Sequence, residues 1–228
     1  VWGLSTPEEG WEPPADLNCR SLNLPKASGR RDTSRHLTEV LRPERPEVLH
    51  LHSFSPHVHG VRAAAALGVP SVVVSFHDLR LGARRALICR HLAGRVTRVI
   101  VLNQAMAELY RHRCGYTERQ VVVLPNGVDV ERFVPRPRDE ELARRLGLRA
   151  EDYVIGSVGS LRPNKGYRFL LEAFAAVRRE LPQARLVVVG AGDRRRDLEG
   201  LAHRFGLGES ALLVGEQRDI PRWMSLFQ

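Results

Sequence analysis

Tyr153-Val154-Ile155-Gly156-Ser157-Val158-Gly159-Ser160-Leu161-Arg162-Pro163-Asn164-Lys165-Gly166 is the stretch on which the fold turns. Its first six residues form a continuous apolar run rather than an alternating one, as in a strand buried on both faces. A loop follows, and a helical pattern over 166–180 begins at its end. Backbone N–H groups and the positive end of the helix dipole then sit beside a loop carrying two cations. Gly159 permits close backbone approach, and Arg162 and Lys165 are placed to converge on one diphosphate. Lys165 and Lys26 are the only lysines among 35 basic side chains, which weighs against a random surface placement. The bland alternative is a capped helix start with solvated charges. No G-x-x-x-x-G-K-[ST] is present, so ATP hydrolysis is not implied.

Working outward, the same strand-then-helix alternation recurs. Apolar runs occur at 48–52, 71–76, 98–102 and 120–124, then at 153–158, 184–189 and, more weakly, 211–214. Helical patterns fill 57–67, 83–93, 104–113, 166–180 and 194–205. Gly68 suits a C-terminal cap, and Pro182 stops the fourth of these helices. The fold class is α/β, with doubly wound parallel sheets covered by helices. Between Phe133 and Asp152 the pattern changes to a stiff charged connector, Val134-Pro135-Arg136-Pro137-Arg138, and a polar helix around 139–146. Residues 1–133 are therefore expected to form one Rossmann-like domain, 134–152 a linker and 153–228 a second, unfinished domain. The opening Val-Trp-Gly reads as the middle of a longer chain.

Polar and glycine residues gather where the strands end: His50 and His52, His77-Asp78, Asn103, Asn126-Gly127, Gly159-Ser160 and Gly190-Ala191-Gly192. Open α/β sheets bind ligands in the crevice beyond those ends, although any turn residue must also fall there. The net charge of +9 favours anionic partners such as nucleotide phosphates or an acidic membrane surface. The arginines are spread along the chain with few aromatics to stack bases, which disfavours nucleic acid. Cys19, Cys89 and Cys114 form no C-x-x-C pair, and a reducing cytosol is the simplest compartment. No apolar run approaches the roughly 20 residues of a membrane span.

The order of these motifs resembles the retaining glycosyltransferases of the large family 4 (glycosyl transferases group 1) type, which includes sucrose synthases and bacterial mannosyltransferases. The residues that carry the resemblance are His-Leu-His-Ser at 50–53, Phe-His-Asp at 76–78 and Leu-Pro-Asn-Gly-Val-Asp at 124–129, followed by Phe133. Gly-Ser-Leu-Arg-Pro-x-Lys-Gly at 159–166 and Val-Val-Gly-x-Gly at 188–192 complete the series. The resemblance implies a GT-B fold, with an acceptor domain first, a donor domain second and the active site between them. It implies a nucleotide-sugar donor as co-substrate, with Arg162 and Lys165 on the donor diphosphate and no metal or further cofactor. Gly159, Gly190 and Gly192 would line the same donor site, and Glu216 and Gln217 would lie near the nucleotide base. His77 would orient an acceptor hydroxyl; its alternative is a neutral core histidine. Asn126-Gly127 reads as a turn. Glycan, lipid and small-molecule acceptors all remain open, as does peripheral contact with the inner face of an anionic membrane.

Two departures qualify the resemblance. The family's first strand and Gly-rich loop should precede residue 1, and its Glu-x₇-Glu segment should follow Phe227. The 228-residue chain by itself is accordingly expected to transfer no sugar. A metal hydrolase is a rival, because His50, His52, His57 and His59 form an H-x-H…H-x-H cluster. That pattern wants an aspartate where Phe54 stands, and His57 and His59 on a helix would point about 200° apart. A non-catalytic basic phosphate-binding module is a second rival, and a GT-B sugar-nucleotide epimerase a third.

Overall fold

The computed structural model describes residues 2–3, 20–21 and 30–228 apart from residue 80, with side chains from residue 33 onward. Cys19 and Lys26 lie outside the described residues. Two compact units divide between Gly127 and Val128.

In the first unit a short parallel pair, β1 (Trp2–Gly3) and β2 (Arg20–Ser21), precedes α1 (Arg30–Leu41). A second sheet follows from β3 (Val48–His52), β4 (Ser71–Ser75), β5 (Arg98–Val101) and β6 (Val121–Val123), paired in that order and all parallel. The connections are α2 (Phe54–Leu67), α3 (Ala83–Leu92) and α4 (Gln104–Cys114). Gly68 closes α2 in the left-handed conformation expected of it, at φ 67°. Asn103 caps α4 by accepting the Met106 amide at 2.9 Å. Leu51, Val72, Val74, Val99 and Val101 of this sheet pack with Val58, Val61, Cys89, Met106 and Tyr110 of the helices in one core. On the other side of α2, Ala63 packs against Leu37 and Leu41 of α1.

The second unit has β7 (Tyr153–Val158), β8 (Ala184–Val189) and β9 (Ala211–Gly215), again parallel and paired in that order. Four helices accompany them: α5 (Glu140–Arg145), α6 (Tyr167–Glu180), α7 (Arg195–Arg204) and α8 (Ile220–Met224). Alternate residues of one strand enter opposite cores, which is why the runs are continuous rather than alternating. Leu186 and Val188 of β8 meet Leu171, Phe174 and Leu198 of α6 and α7. Val187 and Val189 meet Leu142 and Ala143 of α5, with Trp223 and Leu226 at α8. The helix expected within the 134–152 linker is thus a working part of the second core. Asp139 fastens it, capping the Leu142 amide at 2.7 Å and pairing with Arg222 Nε at 2.6 Å. These apolar contacts, not the Pro-Arg run, decide which sheet the helix joins.

Candidate functional site

The loop after β7 is stitched to the loops after β8 and β9. The Gly159 amide donates to the Val189 carbonyl at 2.9 Å and the Leu161 amide to the Ala191 carbonyl at 2.8 Å. The Gly190 amide in turn donates to the Gly215 carbonyl at 2.8 Å. The two glycines of 190–192 make this approach possible. A Cβ at Gly190, whose φ is +146°, would lie 2.0 Å from the Gly159 carbonyl oxygen, and one at Gly192 would lie 2.5 Å from that of Leu161. The Tyr167 hydroxyl donates to the Gly159 carbonyl at 3.1 Å, and Leu161 is fully buried beneath.

On this ledge the chain turns through a single 3-10 turn, Pro163–Lys165, into α6. Gly166 begins α6 in the left-handed conformation, and no side chain caps that terminus. Arg162 and Lys165 are both exposed beside it. The fold therefore brings Gly159, Arg162, Lys165, Gly190 and Gly192 to one edge of one sheet, with Glu216 and Gln217 following Gly215 on the same edge. Glu216 is exposed, whereas the Gln217 side-chain amide donates back to the Val214 carbonyl at 3.1 Å. Beside the ledge a cavity of about 760 Å³ opens between α6 and α7, lined by Arg162, Tyr167, Phe169, Arg194, Leu198 and Phe205 among others.

His77 stands at the corresponding edge of the first unit's four-stranded sheet. It is exposed, and it lines a cavity of about 330 Å³ with Ser53, Phe54, Phe76, Asp78, Arg85 and Tyr110. The Tyr110 hydroxyl donates to the Asp78 carbonyl at 3.3 Å, and its ring stacks on Phe76 at 4.4 Å between centroids. The Arg85 guanidinium lies 5.1 Å from the Phe54 ring centre. Neither Arg85 nor Tyr110 was marked by the sequence pattern, since both lie within helices, α3 and α4, rather than at strand ends. Ser53, between β3 and α2, holds a φ of +73° that non-glycine residues rarely adopt.

The four histidines of the H-x-H pairs part company. His50 and His52 stay at the sheet edge, with ring centres 4.3 Å apart, and the His77 ring lies parallel to that of His52 at 5.7 Å. Burial and the neighbouring imidazoles hold His50 and His52 below the ordinary histidine range. His57 and His59 are buried in α2. His57 lies between the Cys89 thiol at 3.8 Å and the Tyr116 hydroxyl at 3.3 Å, and His59 meets the Ser34 hydroxyl at 3.1 Å. Among the described residues no group of three or more His, Cys, Asp or Glu is arranged to hold a metal ion. Asn126-Gly127 lies in irregular, exposed chain, and the neighbouring Asp129 side chain accepts the Glu131 and Arg132 amides at 3.0 Å.

A family model described as Glycosyltransferase Family 4 matches residues 6–132, and one described as Glycosyl transferases group 1 matches residues 138–226. The chain belongs to the family 4 glycosyltransferases. It is 29% identical over 215 residues to the UDP-Gal:alpha-D-GlcNAc-diphosphoundecaprenol alpha-1,3-galactosyltransferase of Escherichia coli, covering 89% of this chain and 55% of that one. It is 36% identical over 191 residues to a GDP-mannose-dependent alpha-mannosyltransferase of Mycolicibacterium smegmatis, covering 78% of this chain and 47% of the relative. Among solved structures, Anabaena HepE in complex with UDP and glucose superposes with a TM-score of 0.77 at 22% identity, covering 92% of this chain and 59% of that one. The likeness establishes the GT-B fold for this chain. The chain spans about half the length of these relatives. No described helix is long and apolar enough to cross a membrane.

Proposed function

We propose that the chain carries the diphosphate-gripping part of the donor site and the acceptor-side histidine of a glycosyltransferase that works with retention and without a metal ion. The observation that supports this reading is the stitched ledge, which presents Arg162, Lys165 and the uncapped start of α6 together. As the sugar leaves, negative charge builds on the nucleoside diphosphate. Two cations and the positive helix end stabilise that charge without the reorganisation that water would need. His77, at the mouth of its own cavity, hydrogen-bonds the acceptor hydroxyl. The acceptor is a glycan or a lipid-linked sugar, and the protein works at the inner face of an anionic membrane, held by its basic surface. The E. coli relative, whose name gives a diphosphoundecaprenol acceptor, supports that placement.

Lys165→Ala separates this role from a surface charge. Assayed with radiolabelled UDP- and GDP-sugars in a full-length enzyme that contains this chain, the substitution should lower transfer by roughly 10²-fold or more, the range typical of lost charge stabilisation at a transition state. A variant that transfers as fast as the unaltered protein would overturn the assignment, and so would activity that vanishes with a chelator.

A further inference from the structure

His52 Nδ1 and His77 Nε2 lie 3.4 Å apart, with the two rings nearly coplanar in orientation at 4° and 5.7 Å between centroids. The contact follows from strand register. His52 ends β3 opposite Ser75 of β4, and His77 is the second residue beyond Ser75. His50, one pleat earlier on the same face as His52, is engaged with the Ser75 hydroxyl at 2.8 Å. The three imidazoles thus form a column along the sheet edge, anchored at one end by a serine and ending at the exposed His77.

We propose that His52 is a positioning residue for His77, fixing which of its two nitrogens is offered to the acceptor hydroxyl. Two neutral imidazoles joined through Nδ1 and Nε2 place one proton between them, and the other ring positions follow from that choice. If His52 donated from Nδ1, both rings would adopt the Nδ1–H tautomer, the intrinsically less stable form of the side chain. If His77 donates from Nε2, both rings keep the more stable Nε2–H form. The greater intrinsic stability of the Nε2–H form favours the second arrangement. His77 Nδ1 then carries a lone pair and acts as the hydrogen-bond acceptor, the role required of a group that draws on a sugar hydroxyl. The inference rests on the reading of His77 as the acceptor-side residue, but the tautomer itself is a property of the chain alone.

Imidazole nitrogen shifts, recorded through the ring C–H protons of the ¹⁵N-labelled chain at alkaline pH, test it directly. In the unaltered chain His77 should show a protonated-type Nε2 and an unprotonated-type Nδ1 at their limiting values. His52→Phe should move both toward the mixed-tautomer average of a free imidazole, and His52→Gln, whose amide oxygen can accept the same N–H, should restore the limiting values. An averaged His77 in the unaltered chain overturns the proposal, as does a proton on His52 Nδ1 or a His77 spectrum indifferent to His52→Phe. A locked tautomer alongside normal sugar transfer by the His77→Gln variant of a full-length enzyme that contains this chain would instead overturn the role given to His77.

Discussion

A single methyl group at position 190 would collide with the loop that carries Arg162 and Lys165. Its carbon would sit 2.0 Å from the Gly159 carbonyl oxygen, on a backbone whose φ of +146° no side chain tolerates comfortably. Gly190→Ala should therefore destabilise the chain by about 3 kcal/mol, from strain and overpacking together. Gly200→Ala is the matched control, because that glycine lies inside α7 with nothing within 4 Å of the added carbon. It should raise stability by about 0.5–1 kcal/mol. Chemical denaturation of both variants checks the pair, and equal effects at the two positions would refute the packing role. The Val-Val-Gly-x-Gly run was legible in the sequence as a strand end. Its reason was not, because the atoms that forbid a side chain at 190 belong to a loop some thirty positions earlier in the chain. The His52–His77 contact was hidden for the same cause: it exists only once β3 and β4 are in register.

At the scale of elements, His57 is the point where α2, α3 and the end of α4 meet. Its ring lies between Cys89 and Tyr116, with Phe76 edge-on at 5.4 Å, and burial pushes its pKa from 6.5 down to about 4. The unfolded ring accepts a proton near pH 6.5, whereas the folded ring resists protonation until about pH 4. His57 therefore makes no pH-dependent demand above 6.5, and stability falls as pH drops from 6.5 to about 4, by roughly 3 kcal/mol in all. Thermal melts across that window should show the loss, and His57→Gln should flatten the slope by about one proton. Parallel curves for the two proteins would contradict the burial argument. Elements built on long apolar periods were legible: β3, β4, β7, β8 and α6 fall within a residue or so of their expected places. The short α8, which opens on Ile220-Pro221, and the arginine-rich α1 carry too little apolar period to read. The joining of α5 to the second core depends on Leu142 and Ala143 entering one cluster with Val187, Val189 and Trp223, residues of distant segments.

Over the whole molecule, the net charge of +9 favours anionic ligands and surfaces. The basic surface should bring the protein down with liposomes of anionic lipid and leave it in solution with zwitterionic ones, an effect that salt abolishes by screening. Equal sedimentation with both would contradict membrane contact. The α/β class and the order of motifs were readable because strand ends carry their polar residues in sequence. The ledge that unites three of those ends through Gly159, Gly190 and Gly215 is a product of folding. Whether that ledge grips a diphosphate is the central claim, and calorimetric titration of UDP and GDP into the chain tests it most directly. The account predicts saturable binding of at least one of them, weakened tenfold or more by Arg162→Ala and by Lys165→Ala. Absence of binding in the unaltered chain, or affinity untouched by both substitutions, would contradict it.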